Sequence, residues 1–240
     1  MKLDDVKKLQ QKKYRAEFGH FLVEGEHLVL ELQKAAAHNP LLQRSQLYVT
    51  AAHEHWQSPF KTHVVSERQM AQISDTKTPQ GIVAVVPMPQ EAAPVAAGER
   101  AIYLHEIQDP GNLGTILRTL AWFGGFRCLL SPGSVDPYNP KVVRSSMGAI
   151  FHTPLELDVQ LDSLSSRFPR IACLDMQGDS LQSASFKDFD CYLFGNEARG
   201  VPREQLSALG AQPFTIAGCG AIESLNLAST VNICAYELNR

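Results

Sequence analysis

Three segments of the chain place glycine and polar or charged side chains shortly after a short apolar run. They are 109–119 (DPGNLGTILRT), 195–200 (GNEARG) and 220–230 (GAIESLNLAST). This pattern is typical of a strand that ends in a loop whose backbone comes close to a ligand. Because three such loops occur in one part of the chain, we expect them to form a single composite site.

The elements that must position these loops alternate regularly from residue 100 onward. Strand-like runs occur at 101–105, 127–130, 154–157, 170–174, 191–194 and 214–217, and helical stretches separate them. Such alternation predicts a mostly parallel α/β sheet with helices on both faces. Ligands of such sheets bind at the carboxyl ends of the strands, which is where the three segments lie.

The N-terminal part forms a second, smaller α/β unit in this interpretation. Strand-like runs at 21–23, 47–50, 63–65 and 82–86 alternate with helix-like segments near 25–37, 51–56 and 67–73. The segment that follows, 87–98, contains three prolines and many small residues without periodicity. We therefore predict an N-terminal domain over 1–90, a linker over 91–99 and a C-terminal domain over 100–240.

Composition agrees with a soluble intracellular enzyme without identifying one, and the cytoplasm is the expected compartment. The 240 residues are 44% hydrophobic and 20% charged, with no apolar run of eighteen residues and no apolar segment at the N-terminus. The five cysteines are scattered and form no C-x-x-C pair, so the sequence predicts neither a metal site nor a disulfide framework. We expect four of them in the core and only Cys219 exposed.

The three segments together resemble the signature motifs of the SpoU (TrmH-like) family of RNA ribose 2′-O-methyltransferases, which belongs to the SPOUT class. The family's motif residues fall on Asn112, Gly114 and Arg118, then on Gly195, Asn196, Glu197 and Gly200, and finally on Gly220, Ser224, Leu225 and Asn226. The resemblance is strong over about 100–240 and looser over the N-terminal part.

This resemblance implies properties that periodicity could not show. The C-terminal domain would carry a deep trefoil knot, a rare exception to the usual rules of topology. The cofactor would be S-adenosylmethionine, and the working form a homodimer. The N-terminal domain would recognise RNA, with ribosomal RNA favoured over tRNA.

The same resemblance assigns roles to single residues. Asn112, Arg118, Glu197, Ser224 and Asn226 are expected to be catalytic, and the cofactor is expected to bind at Gly195, Asn196, Ile216, Gly220, Leu225 and Asn226. No metal is needed, because the thioether that leaves is neutral. The reaction requires in-line placement, a cation for phosphate, and help in removing the hydroxyl proton.

Arg118 is the residue that we expect to matter most. A guanidinium with a pKa above about 12 is a poor base, so we favour a role in holding phosphate and stabilising the developing alkoxide. Two alternatives stay open for other residues. Glu197 could be a carboxylate near a helix start, and Ser224 or Asn226 could cap the helical run that ends at Leu238.

Charge indicates where RNA would bind. The net charge is only −3, but residues 1–90 carry 11 Lys and Arg against 9 Asp and Glu, whereas 91–240 carry 11 against 16. The predicted RNA contacts are Arg118, Arg144 and, in a basic N-terminal helix, Lys12, Lys13 and Arg15. A solvated helix face would explain the N-terminal charges equally simply.

Two other kinds of protein remain compatible with the pattern. One is a non-catalytic RNA-binding or assembly protein that keeps the fold. The other is a nucleotide-binding α/β enzyme with a different cofactor, although no G-x-G-x-x-G follows the first strand of either part.

Overall fold

The computed structural model describes residues 1–222 and 224–240, which form two compact units. The first unit consists of 1–91 and 136–152, and the second of 92–135 and 153–240. The segment 136–152 belongs to the C-terminal domain in the sequence-based division. Its residues nevertheless pack with the N-terminal ones.

The secondary structure is mixed throughout. The strands are β1 (His20–Glu24), β2 (Gln46–Val49), β3 (Lys61–Val64), β4 (Ile82–Pro87), β5 (Arg100–Leu104), β6 (Phe126–Leu130), β7 (Leu155–Glu156), β8 (Ile171–Ser180), β9 (Cys191–Phe194) and β10 (Gln212–Thr215). The helices are α1 (Leu3–Lys8), α2 (Lys12–Phe18), α3 (Glu26–Ala36), α4 (Glu67–Ile73), α5 (Pro110–Phe123), α6 (Pro140–Ser146), α7 (Leu164–Arg167), α8 (Arg203–Leu209) and α9 (Leu227–Asn239). Short 3₁₀ turns occur at Leu42–Arg44, Ala51–His53, Ala149–Phe151, Leu161–Ser163 and Ala184–Asp188.

The sheet of the first unit has the order β1-β4-β2-β3, with β4 antiparallel to both of its neighbours and β2 parallel to β3. Leu22 pairs with Val85, and the side chains of Val83 and Val85 point to the same face because strand side chains alternate. This face is covered by apolar residues of α1 and α4, including Val6 and Met70, which are completely buried. The helix predicted near 51–56 is only the short 3₁₀ turn at Ala51–His53.

The sheet of the second unit has the order β10-β8-β9-β5-β6-β7, and all of its neighbouring strands are parallel. This confirms the predicted mostly parallel sheet. Strands β5, β6 and β9 are buried almost along their whole length, which matches their continuous apolar sequence. The knot stays a prediction from the resemblance.

Side-chain caps fix the starts of the two helices that carry the first and third motifs. The Asp109 carboxylate accepts from the Asn112 backbone N–H, and α5 begins at Pro110. The Asn226 side chain accepts from the Ser229 N–H at the start of α9. Ser224 and Asn226 were both candidates for the cap of that helix, and Asn226 is the residue that caps it.

Candidate active site

The segments after β5, β9 and β10 line one cleft of about 1450 Å³ in the second unit. The strands β10, β8, β9 and β5 are neighbours, so their carboxyl ends bring the three motifs to the same edge. The fourth contributor is the part of β8 where pairing with β10 shifts, and its residues Leu174, Asp175 and Met176 also line the cleft. The composite site predicted from the sequence is therefore present.

A chain of side-chain hydrogen bonds joins one residue from each motif. Asn226 Nδ2 donates to Asn112 Oδ1 at 3.0 Å, and Asn112 Nδ2 donates to Glu197 Oε1 at 3.2 Å. These residues are 114 and 85 positions apart in sequence for the two bonds. The motifs thus form one structure rather than three adjacent loops.

The direction of this chain is fixed by the helix cap at its end. Because Asn226 Oδ1 accepts the Ser229 N–H, only its Nδ2 can donate to Asn112. Asn112 must then use its oxygen toward Asn226 and its amide nitrogen toward Glu197. Glu197 is therefore needed as an acceptor, the role of an ionised carboxylate. It does not cap α8, which begins at Arg203 after Pro202.

Asn196 is a structural member of the second motif. Its side chain is 8% exposed, its Oδ1 accepts from the backbone N–H groups of Ala198 and Arg199, and its Nδ2 donates to the Glu106 carbonyl at 2.8 Å. Both ends of the amide are occupied, so Asn196 shapes the loop that lines the cleft. A cofactor would meet the backbone of this loop rather than the Asn196 amide.

Gly195 is required by close approach of the backbone. A Cβ at this position would lie 2.7 Å from the Cα and carbonyl carbon of Gly200, a distance that no real side chain tolerates. Gly220, in the third motif, has a φ of +79°, which favours glycine for a different reason. Both glycines line the cleft.

The remaining predicted cofactor residues come from the loop that connects β10 to α9. Ile216 is half-buried, whereas Ser224 and Leu225 are exposed, and all three line the cleft. Leu225 is an exposed large apolar side chain at 47%. Such a side chain at the edge of a cleft suits the apolar part of a ligand.

Arg118 lies on the exposed side of α5, six residues after Asn112. It does not line the cleft, and its guanidinium has no hydrogen bond or ion pair with residues 1–222 or 224–240. Glu197 takes its hydrogen bond from Asn112 and not from Arg118. A free guanidinium remains available for phosphate.

The predicted RNA-binding residues of the first unit have different environments. Lys12 and Lys13 are exposed, and Arg144 forms a half-exposed ion pair with Asp75 at 2.8 Å. Arg15 is only 3% exposed. Its guanidinium is bound by Asp136 and by the carbonyls of Leu9 and Gln10. The prediction that Arg15 contacts RNA is therefore wrong, because no donor group of this side chain faces solvent as a phosphate ligand would require.

Sequence reasoning missed Arg199, which lines the cleft, and its partner Glu106. They form an ion pair of 2.6 Å. Arg199 stands inside the second motif, but Glu106 follows β5 in a segment with no motif of its own. Only the position of an acidic residue just after a predicted strand could have indicated it.

The cysteines lie where the composition predicted. Cys128, Cys173, Cys191 and Cys234 are buried and Cys219 is exposed, as expected. Among the described residues, no group of three or more His, Cys, Asp or Glu side chains could hold a metal ion. No helix in the described part of the chain is long and apolar enough to span a membrane.

Comparison with known families shows which family shares the sequence of this cleft. A family model described as the SpoU rRNA Methylase family matches residues 99–236. The chain belongs to the SpoU rRNA methylase family. Membership confirms the resemblance drawn from the motifs, and with it the predicted class of enzyme and its cofactor, an RNA methyltransferase that uses S-adenosylmethionine. A second model, described as an MRM3-like substrate binding domain, matches residues 2–84.

Relatives of this SpoU methylase cover nearly its whole length. The Bacillus subtilis protein named 23S rRNA (guanosine(2553)-2′-O)-methyltransferase RlmP is 31% identical over 99% of this chain and 95% of its own. A structure of a putative RNA methyltransferase of the TrmH family from Porphyromonas gingivalis has a TM-score of 0.85 at 30% identity, and covers 99% of this chain and 96% of its own. An AdoMet-bound rRNA methyltransferase from Sinorhizobium meliloti has a TM-score of 0.81 at 25% identity, with 98% and 93% covered.

Proposed function

We propose that this SpoU methylase transfers a methyl group from S-adenosylmethionine to a ribose 2′-hydroxyl of ribosomal RNA. The observation that carries the proposal is the hydrogen-bond chain from Asn226 through Asn112 to Glu197, at the edge where the three motif loops meet. The full-length relative RlmP is named for the same reaction on 23S rRNA. A tRNA substrate is the alternative that the experiment below must exclude.

The residues of the cleft fit the cofactor. The cleft is large enough for a nucleoside with an amino-acid tail, and its Gly195 loop is tight enough to present backbone groups. Gly195, Gly220, Ile216 and Leu225 would hold the cofactor through backbone and apolar contacts, with Asn196 shaping the loop. When bound, S-adenosylmethionine supplies an electrophilic methyl group on a cationic sulfur.

Glu197 would orient the ribose hydroxyl. Its Oε1 is occupied by Asn112, while Oε2 has no hydrogen-bond partner within the described residues. An ionised carboxylate with one free oxygen can accept the hydroxyl proton as the oxygen attacks. Ser224, exposed at the cleft, would assist by hydrogen bonding to the ribose, and Asn226 would keep Asn112 in place.

Arg118 would hold the phosphate next to the reacting ribose. The guanidinium keeps its proton at any physiological pH, so it acts as a cation that stabilises the developing alkoxide and not as a base. Its exposure and free donor groups are consistent with this role. Since it does not line the cleft, its loss should leave cofactor binding nearly unchanged.

The test is transfer of labelled methyl from S-adenosylmethionine to RNA from a strain that lacks the gene, followed by nucleoside analysis. We expect a 2′-O-methylated nucleoside in rRNA or in ribosomal particles with the natural protein and with Arg170→Ala, an exposed arginine away from the cleft. Arg118→Ala should abolish transfer and leave cofactor affinity within a few fold. Label in tRNA would reject rRNA as the substrate. Label on a base would reject the ribose as the methylated group, and no label in any fraction would reject the enzymatic function.

We further propose that the first unit binds the RNA substrate, as the matching substrate-binding family model suggests for residues 2–84. Lys12, Lys13 and Arg144 would contribute to this surface. The functional division would then be an RNA-binding domain over 1–90, a linker over 91–99 and a methyltransferase domain over 100–240, with 136–152 packed onto the first. The bacterial relative RlmP, which is named for 23S rRNA, supports the cytoplasm as the proposed compartment.

A homodimer is the proposed working form. Helices α5 and α9 pack together, and beside this contact Trp122 is 83% exposed, Tyr236 58% and Ile233 38%. The ring of Tyr236 on α9 contacts that of Phe123 on α5, so both helices contribute exposed apolar side chains. A second copy would bury these side chains in a symmetric interface. Sedimentation of Trp122→Glu should show monomers, and an unchanged dimer would exclude this surface.

A further inference from the structure

Arg199, which lines the cleft, and its ion-pair partner Glu106 have no role in the proposed function. Arg199 Nη2 donates to Glu106 Oε2 at 2.6 Å, and the two side chains are 71% and 36% exposed. The other guanidinium donors have no partner in the part of the chain that the structure describes. The pair therefore holds an arginine whose remaining donors face solvent.

The backbone of Glu106 is fixed from several directions. Its N–H donates to Ser131 Oγ at 2.7 Å, and its carbonyl accepts from Asn196 Nδ2 at 2.8 Å and from Gln108 Nε2 at 3.1 Å. Its φ is +49°, a left-handed conformation that is uncommon for a residue with a Cβ. The surrounding structure thus holds Glu106 in a conformation that it would not choose freely.

Arg199 is held at its other end by the same asparagine. Its backbone N–H donates to Asn196 Oδ1 at 3.1 Å. Asn196 therefore connects the backbone of Arg199 to the carbonyl of Glu106, and the ion pair connects their side chains. The result is a closed arrangement in which both residues are positioned relative to the motif loop.

Stability does not explain this arrangement. Exposed ion pairs contribute little to folding, and a left-handed acidic residue costs free energy. What the arrangement does provide is a guanidinium at a defined place beside Glu197, at the edge of the cleft. Burial of the neighbouring His105 lowers its pKa, which favours the uncharged ring.

We propose that Arg199 binds a phosphate of the RNA strand next to the target nucleotide, and that Glu106 is the positioning residue for this arginine. The guanidinium fork matches two phosphate oxygens, and a single strand offers one phosphate per nucleotide. The inference rests on the proposed function, since it requires RNA in the cleft. The carboxylate of the cofactor is the competing ligand for the same donors.

The first test measures steady-state methyl transfer for Arg199→Ala, Arg199→Lys and the control Arg170→Ala, which also breaks an exposed arginine ion pair in this unit. We expect Arg199→Ala to raise KM for RNA about tenfold or more, because it loses charge-assisted hydrogen bonds. The salt dependence of KM should weaken by about 0.7 in log–log slope for one lost phosphate contact. Arg199→Lys should restore the slope but only part of the affinity, and Arg170→Ala should change neither.

Calorimetric titration with S-adenosylmethionine shows whether Arg199 binds the RNA phosphate or the carboxylate of the cofactor. An unchanged cofactor Kd in Arg199→Ala supports the phosphate assignment, whereas a large rise in that Kd with unchanged salt slope would overturn it in favour of the cofactor carboxylate. An unchanged KM for RNA would also overturn it. Failure of the proposed function would look different, because the natural protein itself would then transfer no methyl group.

A double-mutant cycle tests the positioning role of Glu106. Glu106→Gln keeps the shape of the side chain and should raise KM for RNA about threefold when Arg199 is present. In the Arg199→Ala background the same change should have no further effect, because there is no arginine left to position. Equal effects in both backgrounds would show that Glu106 acts independently of Arg199.

Discussion

Both units contain a polar connection between distant parts of the chain, but the two connections differ in exposure. In the second unit, the bonds among Asn226, Asn112 and Glu197 lie at an open cleft. They end on a carboxylate whose second oxygen has no partner among the described residues. In the first unit, Arg15 and Asp136 are 3% and 11% exposed at their side chains, and the guanidinium is consumed by internal acceptors. The exposed connection can serve a substrate, whereas the buried one can only hold elements together.

Breaking the exposed connection should have the largest effect on activity. Asn112→Ala removes the middle of the chain and leaves Glu197 without its donor, so we expect kcat to fall about a thousandfold through lost orientation. The free energy of unfolding should change little, because the side chain is not buried. Single-turnover methylation and urea unfolding measure the two quantities.

Asn239→Ala is the matched control for this change. Asn239 also donates a side-chain hydrogen bond, to the Ala235 carbonyl near the end of α9, but lies outside the cleft. Its substitution should leave kcat within twofold. Equal losses in the two variants would mean that the connection acts only through general stability.

Breaking the buried connection should give the opposite result. Arg15→Ala leaves the largely buried Asp136 carboxylate without a compensating cation and with only the Tyr138 backbone N–H as a donor, which should lower the free energy of unfolding by about 3 kcal/mol. Arg15→Ala combined with Asp136→Asn should recover part of that loss, because no unpaired charge remains. Urea unfolding checks both, with the exposed Arg68→Ala as control. A loss below about 0.5 kcal/mol, typical of surface changes, would contradict the structural role.

Much of this difference could not be predicted from the sequence. Lys12, Lys13 and Arg15 are alike in charge and close in sequence, yet helical periodicity turns Arg15 inward toward Asp136, 121 positions away. No local pattern reveals that partner. It comes from the segment 136–152, which leaves the catalytic part of the chain to pack with the first unit.

The residues at the cleft were easier to predict from the sequence than the environment of Arg15, because glycines and helix caps depend on local conformation. Apolar runs gave the strands to within a few residues, apart from β8, which continues to Ser180 through a shifted register. The motifs identified Asn112, Glu197 and Asn226 but not the bonds among them. Those bonds, and the pair of Glu106 and Arg199, depend on which strands are neighbours, and strand order is a tertiary property.

The tight loop of the second motif allows a sharper test of cofactor binding. Gly195→Ala places a Cβ 2.7 Å from the Gly200 backbone, so the loop must shift, and we expect the Kd for S-adenosylmethionine to rise about ten- to thirtyfold. Gly218→Ala is the control, since a Cβ there meets no described atom within 4 Å. It should change the Kd less than threefold. Calorimetry that finds no rise in the Kd of Gly195→Ala would show that the loop does not contact the cofactor.

The exposed lysines of the first unit should give the smallest effect. Lys12→Ala with Lys13→Ala removes two charges that lie on α2 near the buried Arg15 but remain in solvent themselves. If each meets one phosphate of single-stranded RNA, KM for RNA should rise about three- to fivefold at moderate salt, and the log–log salt slope should fall by about 1.4. Cofactor affinity should not change. Lys61→Ala, an exposed lysine on β3, controls for net charge. An unchanged salt slope in the double variant would show that these lysines only form a solvated helix face. The RNA-binding surface of the first unit would then lie elsewhere, around Arg144.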